Sequence, residues 1–162
     1  MIKLNCKINS DLKSLEKLYQ DTKWTPNPDY VRPKLEIIQK KDKDMENITI
    51  FYQSLKDYIL DEVFNFKSVF NSNGKMFVPQ DNIIRQNIFS KNKYPYQLPT
   101  NTNHYLMWYT YQPKTDYEIN QDIFNSLKNM LKNTNFNFVW YINPKQTIPE
   151  LFHVQVFWIS LI

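Results

Sequence analysis

Apolar residues repeat with a period of two in the last third of this chain and with a helical period elsewhere, and that change of period predicts an α+β fold. From His104 to Tyr111, alternation puts His104, Leu106, Trp108 and Thr110 on one face of a strand and Tyr105, Met107 and Tyr109 on the other. Both faces carry rings and aliphatics, the pattern of a central strand covered on both sides. From Asp116 to Asn133, residues Ile119, Ile123, Phe124, Leu127 and Leu131 return at helical spacing, which predicts a helix packed on that sheet. Phe136 to Asn143 reads as a second strand, stopped by Pro144. A loop with Gln146, Thr147 and Pro149 follows, and a third strand runs from about Leu151 to Ser160.

The first ninety residues read as mainly helical. Ser10 can cap a helix to about Gln20, with Leu12, Leu15, Leu18 and Tyr19 on one side. Three prolines from Trp24 to Pro33 then force a loop. Ile48, Phe51, Leu55, Tyr58, Ile59 and Phe64 predict one helix over about Met45–Phe66, with Lys56, Asp57, Asp61 and Glu62 largely on its opposite face. A turn around Gly74 leads to a short strand or extended entry at Met76–Pro79, and Asp81 can cap a helix over Asn82–Ser90 that brings Ile84 and Ile88 together. Lys91–Thr102, with Pro95 and Pro99, is a loop. The sum is a single domain over residues 1–162: a mainly helical part (1–90), and a strand–helix–strand–strand core (91–162) whose antiparallel sheet has at least three strands with helices packed on it.

Composition narrows the chemistry. At 162 residues one core is affordable, and 11 Phe, 11 Tyr and 4 Trp make it a core of rings. Gly74 is the only glycine, which excludes a Gly-rich phosphate loop, so phosphate would have to be held by side chains or a helix N-terminus. Cys6 is the only cysteine, which excludes a disulfide framework within the chain and a cysteine-based zinc site. Neither a metal nor a cofactor is expected. No run of roughly 18 apolar residues is present, and the N-terminus lacks a signal-peptide core, so no membrane partner and an intracellular location, cytoplasmic or in a virion, are expected. The net charge of +4 comes mostly from Lys scattered among Asn; with only Arg32 and Arg85 available, it argues against a nucleic-acid partner. A homo-oligomer stays open.

Both histidines of the chain, His104 and His153, fall in strand-like runs. On the third strand His153, Gln155 and Phe157 share a face, and burying either polar group unpaired costs about 1–3 kcal/mol. Two readings follow. The imidazoles are hydrogen-bonded structural residues, or His104, Asn143, Gln146, Thr147, His153 and Gln155 converge on a pocket at the sheet's end, where a neutral imidazole serves as nucleophile or base without a metal. Asp57, Asp61 and Glu62 read as a solvated helix face, and the rings Trp108, Tyr109, Trp140, Tyr141 and Trp158 as core rather than base-stacking surface.

The C-terminal part resembles a histidine-triad (HIT-like) nucleotide-hydrolase or transferase domain over about Lys91–Ile162. The resemblance lies in Asn92-Lys-Tyr-Pro-Tyr through Asn103-His-Tyr-Leu-Met, the helix Asp116–Asn133, a strand closed by Asn143, the Gln146-Thr147 loop, and His153-Val-Gln-Val-Phe. The glycines of the usual loop are absent. The words His104-Tyr-Leu-Met-Trp-Tyr, Ile142-Asn-Pro and Ile148-Pro-Glu-Leu-Phe-His-Val-Gln-Val-Phe are also similar to a family of fungal N-acetylglucosamine-induced proteins with relatives in large DNA viruses, which carries no assigned activity. The triad resemblance implies two registers. With His153 in the first position, Gln155 stands where the nucleophile would be and the domain only binds. With His153 in the central position, Leu151 and Gln155 flank a retained nucleophile, the glutamine as in the galactose-1-phosphate uridylyltransferase branch. The expected function is binding of a nucleotide, nucleotide sugar or phosphosugar, with hydrolysis or transfer if His153 is the nucleophile. The competing expectation is a catalytically dead structural or interaction protein, such as a viral assembly or virion component.

Overall fold

The computed structural model describes residues 3–5, 33–98, 101–143 and 146–161. Along the chain it has strand β1 (Lys3–Asn5), helices α1 (Leu35–Phe51) and α2 (Leu55–Glu62), a hairpin of β2 (Val69–Phe70) and β3 (Met76–Phe77), and a 3-10 turn at Gln80–Asn82. Strands β4 (Asn87–Lys91) and β5 (Asn103–Tyr109), helix α3 (Asp116–Leu131), and strands β6 (Asn135–Tyr141) and β7 (His153–Leu161) follow. Five strands form one antiparallel sheet in the order β1-β6-β7-β5-β4. The fold class is α+β, as the two periods predict. The chain leaves β5, crosses through α3 to β6, and returns as β7 between the two, so β7, the strand that bears His153, is the middle of the sheet.

Each face of the sheet has its own core. On one, Met107, Tyr109, Phe138, Trp140, Val154 and Val156 meet Ile119, Ile123 and Leu127 of α3. These are the helix residues whose spacing predicts an inward stripe. Thr115 starts α3 by accepting the Glu118 N–H at 3.1 Å, and Glu118 in turn accepts the Lys114 N–H at 3.0 Å. On the other face Trp108 packs with Ile59 and Leu60 of α2, with Phe64 and Phe66, and with Ile148 and Leu151 from the loop before β7. Strand β5 is therefore covered on both sides, as expected.

Two elements differ from the periodicity. The helix expected over Met45–Phe66 is two helices, and the first begins earlier, at Leu35 just past Pro33. Tyr52 between them is extended and bridges to Met76, because Ser54 starts a new helix: its Oγ accepts the Asp57 N–H at 3.1 Å and donates to Asp57 Oδ2 at 2.6 Å. Asp57 is accordingly buried, not on a solvated face, and its other oxygen takes the Val78 N–H at 2.9 Å. Replacing Ser54 with Ala is expected to cost about 1–2 kcal/mol, read as a lower urea midpoint at unchanged slope. The helix expected over Asn82–Ser90 is instead strand β4. Ile88 pairs with Trp108 and Phe89 with Met107, each packing into a different core, and the free edge of β5 is thereby closed. At the hairpin, Gly74 takes φ +76° while Asn71 Oδ1 accepts the N–H groups of Asn73 and Lys75, which is the predicted turn. The predicted Ser10–Gln20 helix and the proline loop up to Arg32 lie outside the described residues. No helix among the described residues is long and apolar enough to cross a membrane.

Candidate functional site

Pairing of β5 with β7 decides how the polar residues meet. His104 lies opposite Phe157 and His153 opposite Trp108, with the Leu106–Gln155 pair between them. The two histidines share a face but do not touch, and each has its own partners.

His104 is 3% exposed and is held from three sides. The Tyr96 N–H donates to Nδ1 at 3.2 Å, so the proton of the neutral ring sits on Nε2, which donates to Gln155 Oε1 at 2.6 Å. Asn92 Nδ2 lies 3.2 Å from the same Nε2, yet the Tyr94 N–H holds Asn92 Oδ1 at 2.8 Å and fixes that amide. The Asn92 contact is thus donor against donor, and the shorter Gln155 bond is the one that orients the ring. Burial lowers the His104 pKa to about 4, with the Gln155 bond opposing it, so the ring is neutral at physiological pH. Rings of Tyr96 and Phe157 pack on it with centroids 4.6 and 4.5 Å away.

His153 is fixed from one side only. Its Nδ1–H donates to the Leu151 carbonyl at 2.8 Å, and its ring packs on Trp108 with centroids 4.3 Å apart. The remaining nitrogen, Nε2, carries a lone pair. Burial lowers the His153 pKa; the Leu151 carbonyl opposes this and the nearby Lys41 charge adds to it.

A cavity of about 380 Å³ opens at His153. Gln155, Asn143, Gln146 and Thr147 line it, so five of the six predicted site residues converge. His104 does not line it. It stands behind Gln155, and because it occupies Gln155 Oε1, the end of that amide left for the cavity is the donor Nε2. Structure and function are thus not alternatives for the pair: His104 is structural in its contacts, and His153 is the imidazole at the cavity.

Other lining residues escape a reading by sequence pattern. Lys41 and Met45 come from α1, Tyr58 and Glu62 from α2, and Lys93, Tyr94 and Tyr96 from the loop after β4. Lys41 Nζ donates to Thr147 Oγ1 at 3.3 Å, and its pKa is lowered by burial, with Asp42 opposing. Lys93 Nζ donates to Tyr58 OH at 2.6 Å, and Tyr94 OH donates to Asp44 of α1 at 2.8 Å. The cavity thus combines ring walls with three lysines, Lys41, Lys91 and Lys93, and the carboxylate of Glu62. A second, wider cavity of about 690 Å³ shares Gln146 and is lined by Lys56, Gln80, Gln112 and Glu150 among others; no histidine reaches it. Among the described residues no three His, Cys, Asp or Glu side chains are grouped to hold a metal ion. Asp61 instead accepts from Tyr52 OH at 2.7 Å and Ser68 Oγ at 3.0 Å, which ties α2 to the hairpin. No protein-family model matches the sequence, and no curated protein and no solved structure matches the chain.

Proposed function

We propose that the cavity at His153 binds a phosphorylated small molecule, a nucleotide, nucleotide sugar or phosphosugar, in a HIT-like pocket, with His153 Nε2 as the nucleophile. One observation carries this reading. The Nδ1–H of His153 is tied to the Leu151 carbonyl, which leaves a neutral Nε2 lone pair to a cavity that also holds Lys41, Thr147 and the donor end of Gln155. That arrangement favours the triad register in which His153 is central: Leu151 stands in the first position and contributes its backbone, and Gln155 in the third contributes a donor. Nε2 would attack phosphorus in line with the leaving group: the N–P bond of a phosphoimidazole forms as the P–O bond to the leaving group breaks, and that oxygen departs with the electron pair and takes a proton from water. Water or a second acceptor hydroxyl then attacks phosphorus, the N–P bond breaks, the attacking group's proton passes to solvent, and the neutral ring is restored. Lys41 and the Gln155 amide would offset charge on the transferring oxygens. Tyr58, Tyr94, Tyr96 and Trp108 offer ring faces for a base or sugar.

Thermal shift against nucleoside monophosphates, nucleotide sugars and hexose phosphates tests binding. A ligand at about 100 times its Kd adds roughly 2.7 kcal/mol, and the added stability is expected to fall in His153→Gln. No shift with any probe, or the same shift in the variant, removes the reading. Quenching a labelled reaction in alkaline denaturant, where a phosphoimidazole survives, then separates chemistry from binding. An acid-labile phosphate on His153 is expected; a thermal shift with turnover absent assigns the cavity to the second reading, a non-catalytic binder or interaction protein, the register in which Gln155 stands at the nucleophile position.

A further inference from the structure

The sheet and the loop before β7 supply every polar cavity residue foreseen from sequence, while the charged lining residues are Lys41 of α1, Glu62 of α2, Lys91 of β4 and Lys93 just after it. Of the lysines, Lys41 is the one bonded to a foreseen site residue: it is half-buried in the wall, its Nζ 3.3 Å from Thr147 Oγ1. Among the described residues no carboxylate lies within 4 Å of that ammonium, and its neighbour Asp42 is exposed. A cation withdrawn from water and left with one neutral acceptor is short of counter-charge. Thr147 accepts from Lys41 and keeps its own O–H to donate. Ammonium, hydroxyl and the Gln155 amide are then three donors around one space, and His153 Nε2 is the acceptor beside them. A group surrounded in this way is rich in acceptor oxygens and negatively charged, with an electrophilic centre toward the imidazole.

We propose that Lys41, reaching in from α1, is the residue that recognises the charged group of the ligand, holding a phosphoryl oxygen beside His153 together with Thr147. The inference rests on the cavity being a site for a phosphorylated molecule. It adds that selectivity for the phosphorylated over the dephosphorylated form resides in this one side chain, outside the strand–helix–strand–strand core.

The test is calorimetric titration of the full chain with AMP, UMP and glucose 1-phosphate, each beside its dephosphorylated counterpart, adenosine, uridine or glucose. Wild type is expected to bind at least one phosphorylated probe more than 10-fold tighter than its counterpart. Lys41→Met should erase that preference while leaving the counterpart's affinity within about 2-fold, and Lys41→Arg should restore most of it. A preference unchanged in Lys41→Met, or equal loss for both members of a pair, overturns the role of Lys41 and leaves the cavity reading standing. Tight but equal binding of both members in wild type does the same. Binding of none of the six compounds overturns both.

Discussion

Acidification from pH 7 to pH 4 is expected to cost the native state about 3 kcal/mol through His104 alone. The imidazole has an ordinary pKa of 6.5 in the unfolded chain and about 4 in the fold, where it is buried with Tyr96 N–H on one nitrogen and Gln155 on the other. Between those two values the unfolded chain binds more protons than the native one, so stability falls as pH falls from about 6.5 and levels off below about 4. The His153 pKa is lowered too and adds to the loss. Asp122, whose pKa is raised mainly by burial, acts in the opposite sense once the pH nears the carboxylate range. Urea melts at pH 7, 5.5 and 4 read the slope directly. His104→Phe is less stable at pH 7, because Gln155 Oε1 and the Tyr96 N–H lose their partner, yet it should show a flatter profile over the same window. A profile as steep in the variant as in wild type would show that His104 is not the group being protonated.

The two histidines also mark where the sequence stops being legible. Alternation alone puts His153 and Gln155 on one face, and the short loop from Asn143 makes their convergence with Gln146 and Thr147 a matter of chain length. Whether His104 joins them is a matter of pairing register, and a period of two is the same in every register that keeps the buried face inward. The register that forms sets Trp108, not His104, beside His153. Lys41 is less legible still. It lies in the run Lys40-Lys-Asp-Lys-Asp, where any one lysine reads as a solvated face, and only the docking of α1, through Asp44 on Tyr94 and Lys41 on Thr147, distinguishes it from its neighbours.

The fold divides in the same way between local and tertiary causes. Helix α3 is readable because its stripe, the Thr115-x-x-Glu118 cap and its length all agree. Ser54-x-x-Asp57 is a helix start of the same kind, but an apolar stripe running across it from Ile48 to Ile59 hides the break. Strand β4 has no local signal that outweighs the helical spacing of Ile84 and Ile88. It is a strand because β5 offers an unpaired edge, and Ile84 is left exposed as a result.

Trp140→Ala is expected to be among the most damaging single substitutions, costing about 3–5 kcal/mol. The side chain is 0% exposed, lies in the core between the sheet and α3, and donates its indole N–H to Asn120 Oδ1 at 2.6 Å. Truncation removes the largest fully buried side chain, leaves a void the two rigid layers cannot close, and strips Asn120 of a donor. At roughly 2–4 °C per kcal/mol for a domain of this size, Tm should fall by roughly 6–20 °C, whereas Ile50→Ala on the exposed side of α1 should stay within about 0.5 kcal/mol. Trp140 faces α3 and His153 faces the opposite side of the sheet, so the two cores make a further distinction testable in the same variant. Below its own Tm, Trp140→Ala should keep the ligand-induced stabilisation of wild type, because the β5–β7 ladder that sets the cavity's floor is left intact. A loss under about 1 kcal/mol would mean that α3 is not docked through this residue; loss of the ligand response in a folded variant would mean that the two faces of the sheet do not act independently.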